Sequence, residues 1–322
     1  MLSADLIAGK NILLRADLDV PLEGKRIVNE YRLECLLPTL NLCLQHAHRT
    51  LVIGHLGRPD GPDSKFSLEP IKVWLETAVQ QSISFISSGF SPGEWVGGDS
   101  PVTLLENIRY QKGELDNDSQ FAKEISTNAD IYIYDAFASY NSAASLHKIP
   151  EILPTVPGLQ FEKEIAALDK IVHQASNPKI LIISGAKDDK IKFFDPLFKH
   201  FDQIMVGGKL ASLMPKIKGS GSRLIVAKLT DDGLDVSLAS LSRFIKILKK
   251  AKTIVINGPL GRFEDGTNYL ATKSVLQATK DNKTAFSLIG GGDTLSAIKM
   301  LRFNYSDFGF VSTGGGAMLE YL

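Results

Sequence analysis

The sequence predicts an α/β fold made of two doubly wound, parallel-sheet domains of the Rossmann-like kind. Short apolar, β-branched runs recur along the chain, and a segment with helical spacing follows each of them. The runs are continuously hydrophobic instead of alternating, which is typical of parallel strands covered by helices on both faces. A length of 322 residues favours two domains over one.

The predicted strands divide between the two halves of the chain. Those of the first half are Asn11–Leu18, Leu51–His55, Val102–Glu106 and Ile131–Asp135. Those of the second half are Ile180–Gly185, Ile204–Gly207, Leu224–Ala227, Thr253–Asn257, Phe286–Gly290 and Phe308–Ser312. In such sheets ligands bind at the carboxyl ends of the strands, so polar residues at strand ends are the candidates for function.

Two helices and a linker complete the predicted organisation. A helix follows Arg32, with Pro38 as a kink or as a late start. A second helix covers Phe161–His173, after the breaker-rich stretch Pro150–Gly158. We therefore predict domains at residues 1–157 and 158–322, with 158–174 as the connecting helix.

Charge and cysteine content exclude several classes of protein. The 36 basic residues equal the 36 acidic residues, so nothing drives generic binding to nucleic acid or to an anionic membrane. Cys35 and Cys43 would lie about 12 Å apart on one helix, too far for a disulfide. No window resembles a signal peptide or a membrane span. We expect a cytoplasmic protein without nucleic-acid or membrane partners.

Two triple glycines follow the last two predicted strands, at Gly290–Gly292 and Gly314–Gly316. Without Cβ atoms, these turns let a charged group approach the backbone amides of the next helix, which suits a phosphate. Two tight turns without a ligand are the alternative. Asp293 is either a helix N-cap or a ligand of Mg²⁺ on a nucleotide. The Walker and dinucleotide-binding glycine motifs are absent.

Two further strand ends in the second half carry candidate nucleotide ligands. The strand ending at Asn257 leads into a Gly-Pro turn and then Glu264, which is either a ribose ligand or a solvated surface residue. Lys187 follows Gly185, and its charge either reaches a phosphate or is merely solvated.

Strand ends in the first half carry cations and carboxylates instead. The residues are Asp17, Asp19, Arg32, His55, Arg58, Arg109 and Asp135. Singly, each cation is explained by a surface ion pair. Jointly, they indicate a site for a small anion, because a neutral chain needs a local cluster to bind one.

In their order along the chain, these segments resemble the phosphoglycerate kinase family. The shared motifs are LLRADLDVPL, HLGRPDG, LLENIRYQKGE, ADIYIYDAF, PGLQFEKEI, SGAKDDKI, IVINGPLGRFE, LIGGGDT and STGGGA, together with the Arg32 helix. The resemblance implies a monomeric, cytoplasmic, hinge-bending kinase of glycolysis. It would move a phosphoryl group between 1,3-bisphosphoglycerate and MgADP across a cleft between the domains.

The resemblance also assigns residues. The first domain would bind the glycerate through Asp17, Asp19, Arg32, His55, Arg58 and Arg109. The second would bind the nucleotide through Gly185, Lys187, Lys190, Gly208, Asn257, Pro259, Glu264, Gly290, Gly291, Gly292, Asp293 and Thr294, with Asp293 as the Mg²⁺ ligand. Arg32, Lys187, Gly292 and Gly315 would act on the transferring phosphoryl group.

Several positions depart from the family pattern. Asp19 replaces the usual Asn and Ser142 the usual Arg, and both changes weaken an anion site, with His147 or Lys148 as candidate replacements. On the nucleotide side, Lys209 replaces a glycine and Arg262 enters the Asn-Gly-Pro turn. By comparison with the family, we expect the chain to be shortened between Gly219 and Lys252 and to lack the family's tail after Leu322. The alternatives are therefore a related kinase with another carboxylate acceptor and a nucleotide-binding member of the fold that does not catalyse.

Overall fold

The computed structural model describes residues 1–88, 90, 95, 99–139, 142–185, 190–214 and 221–322. The chain divides into two compact units, Met1–Glu164 and Ile165–Leu322, and each is described by itself. Lys187, predicted as a nucleotide and catalytic residue, lies outside the described residues.

The first unit contains a six-stranded parallel sheet and a small antiparallel hairpin. Its strands are β1 (Asn11–Ala16), β2 (Leu22–Glu23), β3 (Arg26–Ile27), β4 (Arg49–Ile53), β5 (Ser84–Ile86), β6 (Val102–Leu105), β7 (Ile131–Asp135) and β8 (Thr155–Pro157). The helices are α1 (Ala4–Ile7), α2 (Tyr31–His46), α3 (Glu69–Val79), α4 (Lys112–Leu115), α5 (Ser119–Ile125) and α6 (Ala144–His147), and α7 (Leu159–Asp169) begins in this unit and continues into the second. The sheet order is β5-β6-β4-β1-β7-β8, and β2 pairs with β3.

Both faces of this sheet are covered, as the continuous hydrophobic runs predict. Along β1, Ile12 and Leu14 belong to one apolar cluster, which also contains Leu33 of α2. Leu13, between them, belongs to a second cluster with Ile125 of α5. Because successive strand residues point to opposite faces, the two clusters are the two layers of a doubly wound fold.

The second unit repeats the architecture with its own parallel sheet. Its strands are β9 (Lys179–Ile183), β10 (Gln203–Val206), β11 (Leu224–Val226), β12 (Thr253–Asn257), β13 (Phe286–Gly290) and β14 (Phe310–Ser312), in the order β11-β10-β9-β12-β13-β14. The helices are α8 (Phe194–Leu197), α9 (Gly208–Leu213), α10 (Leu238–Leu248), α11 (Leu270–Asp281), α12 (Gly292–Met300) and α13 (Gly316–Tyr321). The α/β fold class predicted from the sequence is therefore confirmed.

Two details of the sequence interpretation differ from the structure. Pro38 is not a late helix start, because α2 begins at Tyr31 and runs through it to His46. A kink at Pro38, the other alternative, stays a prediction. The stretch Pro150–Gly158 is not a bare linker, since it includes the edge strand β8. β8 has three residues and ends in a proline. Proline is tolerated in an edge strand, but so short a strand with a proline does not show the hydrophobic run from which strands are predicted.

The connecting helix is bonded to α2 through one buried carboxylate. α7 is followed by a π-helical turn at Lys170–Gln174. Thr39 of α2 donates to Asp135 Oδ2 at 2.5 Å and accepts from the Leu159 amide at 3.0 Å. The Phe161 amide donates to Asp135 Oδ1 at 2.7 Å. Burial raises the pKa of Asp135 to about 6.

Two expectations about the chain as a whole can be compared with the structure. Both cysteines are free thiols, as the spacing predicts. Among the residues that the structure describes, no helix is both long enough and apolar enough to cross a membrane.

Candidate functional site

The cationic residues of the first unit come together at the carboxyl edge of its sheet. Arg32 opens α2, His55 and Arg58 follow β4, and Arg109 lies in a 3-10 turn at Ile108–Tyr110 after β6. Parallel strands bring these loops to one edge, because all their carboxyl ends point the same way. We call this group, with Asp17 and Asp19 after β1, the arginine cluster.

Asp17 and Asp19 lie inside the cluster and face Arg32. The Arg32 guanidinium is 3.6 Å from Asp17 Oδ1 and 3.8 Å from Asp19 Oδ2, and it donates to the Asp19 carbonyl. Asp19 Oδ1 also accepts from the Gly57 amide at 2.8 Å, which ties the two loops together. The Asp for Asn difference from the family therefore places a carboxylate among the cations.

Asp17 is buried, and neither of its carboxylate oxygens has a hydrogen-bond partner among the described residues. Desolvation by burial raises its pKa, against the lowering effect of the Arg32 charge. An unpartnered buried carboxylate is costly unless a donor reaches it. The geometry therefore suits a ligand hydroxyl.

His55 is held between this cluster and Arg15. Its Nδ1 atom lies 2.8 Å from Arg15 NH2, and its Nε2 atom lies 3.9 Å from Asp19 Oδ2. Burial lowers the pKa of His55 well below its usual value, and the charges of Arg15, Arg109, Arg32 and Arg58 lower it further. The imidazole is neutral at physiological pH.

Arg15 was not among the residues predicted from the sequence. It is buried in β1 and donates to Ser145 Oγ at 3.1 Å and to the Ala16 carbonyl at 2.7 Å. Ser145 in turn donates to Glu114 at 2.6 Å through its hydroxyl. The available signal was an arginine inside an otherwise apolar strand, because a buried charge must be paired.

Arg58 and Arg109 complete the cluster electrostatically. Arg109 donates to the Gly57 carbonyl at 2.5 Å. Burial lowers the pKa of Arg109, and the charges of Arg15 and Arg58 act in the same direction. The Asp19 carboxylate opposes this effect, and the three arginines still outnumber the two carboxylates of the cluster, which suits an anionic ligand.

His147 and Lys148, the candidate replacements for the family's arginine, lie outside the arginine cluster. Lys148 pairs with Glu151, with their charged atoms 3.1 Å apart. His147 and Ser142 are exposed to solvent. The structure places none of them in the arginine cluster.

The second unit presents a different surface at the carboxyl edge of its sheet, which we call the glycine cluster. Buried Asn257, at the end of β12, donates to the Gly315 carbonyl at 2.8 Å. Thr294 accepts from the Gly258 amide at 2.9 Å and donates to the Gly290 carbonyl at 3.0 Å. These bonds join the turns after β12, β13 and β14.

The glycines allow the turns to lie against each other. A Cβ atom on Gly315 would lie 2.7 Å from the Gly291 Cα atom. Gly208 has φ +57°, and a Cβ atom there would lie 2.5 Å from Ser184 Oγ. Ser184 itself donates to the Pro259 carbonyl at 2.5 Å. Only glycine fits these positions without a shift of the backbone or of Ser184.

Lys190 lies at the same edge of the sheet as the glycine cluster, whereas Glu264 makes no described contact with that cluster. Lys190 Nζ donates to the Ser184 carbonyl at 2.5 Å and to Asn257 Oδ1 at 2.6 Å. Glu264 is exposed in the 3-10 turn Phe263–Asp265, and no described contact joins it to the glycine cluster. Arg262 is bonded to Asp265 at 3.0 Å.

Asp293 is exposed in the first turn of α12. The N-cap alternative is wrong, because Gly291 occupies that position and no side chain caps the helix. Its carboxylate has no hydrogen bond or ion pair within the described part of the chain. No group of three or more candidate metal ligands occurs among the described residues.

Comparisons with known proteins identify one family over the whole chain. A profile described as phosphoglycerate kinase matches residues 3–228 and 222–322. The phosphoglycerate kinase of Streptomyces griseus is 32% identical over 385 aligned residues, covering 100% of this chain and 95% of the relative. That of Bdellovibrio bacteriovorus is 32% identical, covering 98% and 92%.

Solved structures agree in fold. The phosphoglycerate kinase of Coxiella burnetii superposes with a TM-score of 0.79 at 26% identity, covering 98% of this chain and 93% of that one. The structure from Pyrococcus horikoshii gives 0.86 at 24% identity, with the same coverage.

The profile match consists of two segments that overlap at residues 222–228. The alignment to the Streptomyces griseus relative extends over 385 positions, whereas this chain has 322 residues, so the alignment contains gaps in this chain. The shortening between Gly219 and Lys252 stays a prediction.

Proposed function

This chain belongs to the phosphoglycerate kinase family, and from that premise we propose that it transfers a phosphoryl group between 1,3-bisphosphoglycerate and MgADP. The products are 3-phosphoglycerate and MgATP, and the reaction is reversible. The observation that supports this proposal most is the arginine cluster, in which residues from separate segments surround His55.

We assign the acceptor to residues 1–157. Arg58 and Arg109 neutralise the acceptor's negative charge, Arg32 faces the reacting carboxylate, and Asp17 accepts a hydroxyl of the glycerate. Each charge-assisted hydrogen bond contributes about 1.5–3 kcal/mol. Asp19 reduces the excess positive charge of the site, so its presence favours weaker binding of a highly charged acceptor.

We assign the nucleotide to residues 158–322. The turns at Gly290–Gly292 and Gly314–Gly316 offer backbone amides to phosphate oxygens, and Gly208 opens α9 with the same potential. Lys190 and Asn257 hold the strand ends in place. Lys187, Gly292 and Gly315, with Arg32, are the groups we propose for the transferring phosphoryl.

Mg²⁺ fits this arrangement as part of the nucleotide. Mg²⁺ is commonly bound by one or two carboxylates together with substrate phosphates, and Asp293 supplies one exposed, unengaged carboxylate. When bound, the ion neutralises the charge of the phosphate oxygens. Phosphoryl transfer then needs alignment and charge neutralisation, with no covalent nucleophile.

Because acceptor and nucleotide bind to different units, transfer requires a conformational cycle. We propose hinge bending with both substrates bound, which excludes water from the reacting groups. We also propose that the protein acts as a cytoplasmic monomer.

A coupled assay with MgATP and 3-phosphoglycerate tests the activity, and calorimetry with each substrate alone tests the assignment. We expect turnover and separate binding of both. Nucleotide binding without turnover of 3-phosphoglycerate would contradict the proposed acceptor. No turnover with any carboxylate would leave a binding protein.

A kinase with another carboxylate acceptor is the second candidate function. It is favoured by one observation, the Asp19 carboxylate next to Arg32 and His55. A panel of hydroxy acids, with and without phosphate, distinguishes the two candidates by kcat/KM. A preference for an unphosphorylated acid would support the second.

A further inference from the structure

We propose that Arg15 is a positioning residue that fixes His55 as a neutral hydrogen-bond donor, with the ring proton on Nε2. The proposal concerns the acceptor site and to that extent rests on the proposed function. Arg15 is itself buried and acts through His55.

The tautomer follows from which atom can donate. A guanidinium group has only donors, so Arg15 NH2, at 2.8 Å from His55 Nδ1, must be the donor. Nδ1 is then unprotonated, and the proton of the neutral ring is on Nε2. That edge faces Asp19, whose Oδ2 atom is 3.9 Å away.

Arg15 is held by contacts on its other nitrogens. Nε donates to Ser145 Oγ and NH1 donates to the Ala16 carbonyl. Both Glu114 oxygens accept from Ser145, one from the hydroxyl and one from the amide at 2.8 Å. Glu114, Ser145 and Arg15 therefore form one buried chain of bonds that ends at the His55 ring.

The charges around the ring oppose its protonation from several elements. Arg15 lies on β1, Arg32 on α2, Arg58 in the loop after β4, and Arg109 in the turn after β6; each lowers the pKa of His55. Asp19 is the carboxylate that faces the ring. Burial acts with the four cations, so His55 contributes a directed hydrogen bond to the acceptor instead of a charge.

Nitrogen NMR of the full chain, with histidine labelled in the ring, tests the tautomer directly. We expect an unprotonated Nδ1 and a protonated Nε2, with no titration of His55 between pH 8 and pH 5.5. A ring protonated on Nδ1, or one that titrates near its ordinary value of about 6.5, would overturn the proposal.

Variants then separate positioning from folding. Arg15→Gln combined with Glu114→Gln removes both buried charges together, and Ser145→Ala removes the bond between them and leaves both charges. In the double variant we expect His55 to titrate at least one pH unit higher and to populate both tautomers. Arg26→Gln is the control, because Arg26 is exposed and its one ion pair among the described residues is with Glu23.

The kinetic readout is the KM for the acceptor in the double variant divided by the KM in the wild type, measured at pH 8 and at pH 5.5. In the double variant His55 becomes protonated at low pH and adds a positive charge to the acceptor site. We therefore expect this ratio to be lower at pH 5.5 than at pH 8 by about threefold or more. The KM for MgATP should not follow it. An unchanged ratio together with an unchanged ring spectrum would contradict the proposal.

The proposed activity and the proposed tautomer of His55 are tested independently. A chain that has the expected tautomer but does not phosphorylate 3-phosphoglycerate contradicts the proposed function and supports the positioning role. An active chain with the His55 proton on Nδ1 supports the proposed function and contradicts the positioning role.

Discussion

The arginine cluster and the glycine cluster, which we propose as two anion sites, differ in their chemistry. The first uses long cationic side chains held by buried hydrogen bonds, and the second uses backbone amides at turns without Cβ atoms. The net charges of the two units show the reverse: the unit with the arginine cluster is acidic, and the unit with the glycine cluster is basic. Met1–Glu164 has 22 acidic and 14 basic residues, whereas Ile165–Leu322 has 14 acidic and 22 basic.

The comparison shows that local and overall charge serve different purposes. In the first unit, which has an excess of acidic residues, the proposed anion site is a local convergence of cations. In the second unit the net positive charge and the proposed site both favour anions. The net charge of zero for the chain conceals this division.

The largest expected effect is in the glycine cluster. Gly315→Val places side-chain atoms against the Gly291 backbone, because even a Cβ atom would lie 2.7 Å from Gly291 Cα. We expect MgADP affinity to fall more than about 100-fold by calorimetry, with acceptor binding retained. In Gly292→Ala the added methyl meets no described atom within 4 Å beyond its chain neighbours and the backbone of its own helix, so we attribute a loss there to contact with the ligand.

Asp293→Ala tests the acidic side chain proposed as the Mg²⁺ ligand. The carboxylate is exposed and makes no contact within the described part of the chain, so stability should not change. Loss of a charge-assisted contact corresponds to about 10- to 150-fold in affinity. We expect the difference in ADP affinity with and without Mg²⁺ to disappear, and a retained difference would rule out Asp293 as the ligand.

Asp19→Asn sharpens the comparison on the other side. It removes a carboxylate next to Arg32 and His55, and the amide oxygen can keep the bond from the Gly57 amide. We expect the KM for 3-phosphoglycerate to fall about tenfold. Asp116→Asn, an exposed residue 3.8 Å from Lys112, is the control. An equal or higher KM in Asp19→Asn would show that Asp19 does not weaken acceptor binding.

The smallest effect concerns stability and pH. The pKa of Asp135 is raised by burial from 3.8 to about 6, so the folded state binds more protons than the unfolded state between these values. Stability from this group is therefore present below pH 3.8 and is lost as pH rises through about 6, by about 3 kcal/mol at most. Asp135→Asn should flatten this dependence in denaturant titrations at pH 4.5 and 7. An unchanged slope would argue against the raised pKa.

The fold was largely predictable, because strand hydrophobicity is a local pattern. β7, β12 and β13 match their predicted bounds, since each is a continuous apolar run that ends at a polar residue or glycine. β5 and β8 were missed because each has three residues and lacks such a run. The late helix start considered at Pro38 was wrong, because burial of Leu33, Leu36 and Leu40 stabilises α2 against the cost of one proline.

The site was only partly predictable. Strand-end positions identified Arg32, His55, Arg58 and Arg109, because topology alone brings such residues to one edge. Arg15, Glu114 and Ser145 were missed, since their pairing joins segments 130 and 31 residues apart in sequence. Nor does the sequence show that Arg262 is engaged by Asp265.

The hydrogen bonds around Asp135 give the first unit a mechanical connection. Arg32 sits in the first turn of α2, and Thr39, two turns along, shares the Asp135 carboxylate with the opening turn of α7. Arg32 and the start of α7 are therefore linked within the first unit by a continuous helix and by hydrogen bonds to one buried carboxylate. An acceptor bound to Arg32, as we propose, would lie at one end of this connection.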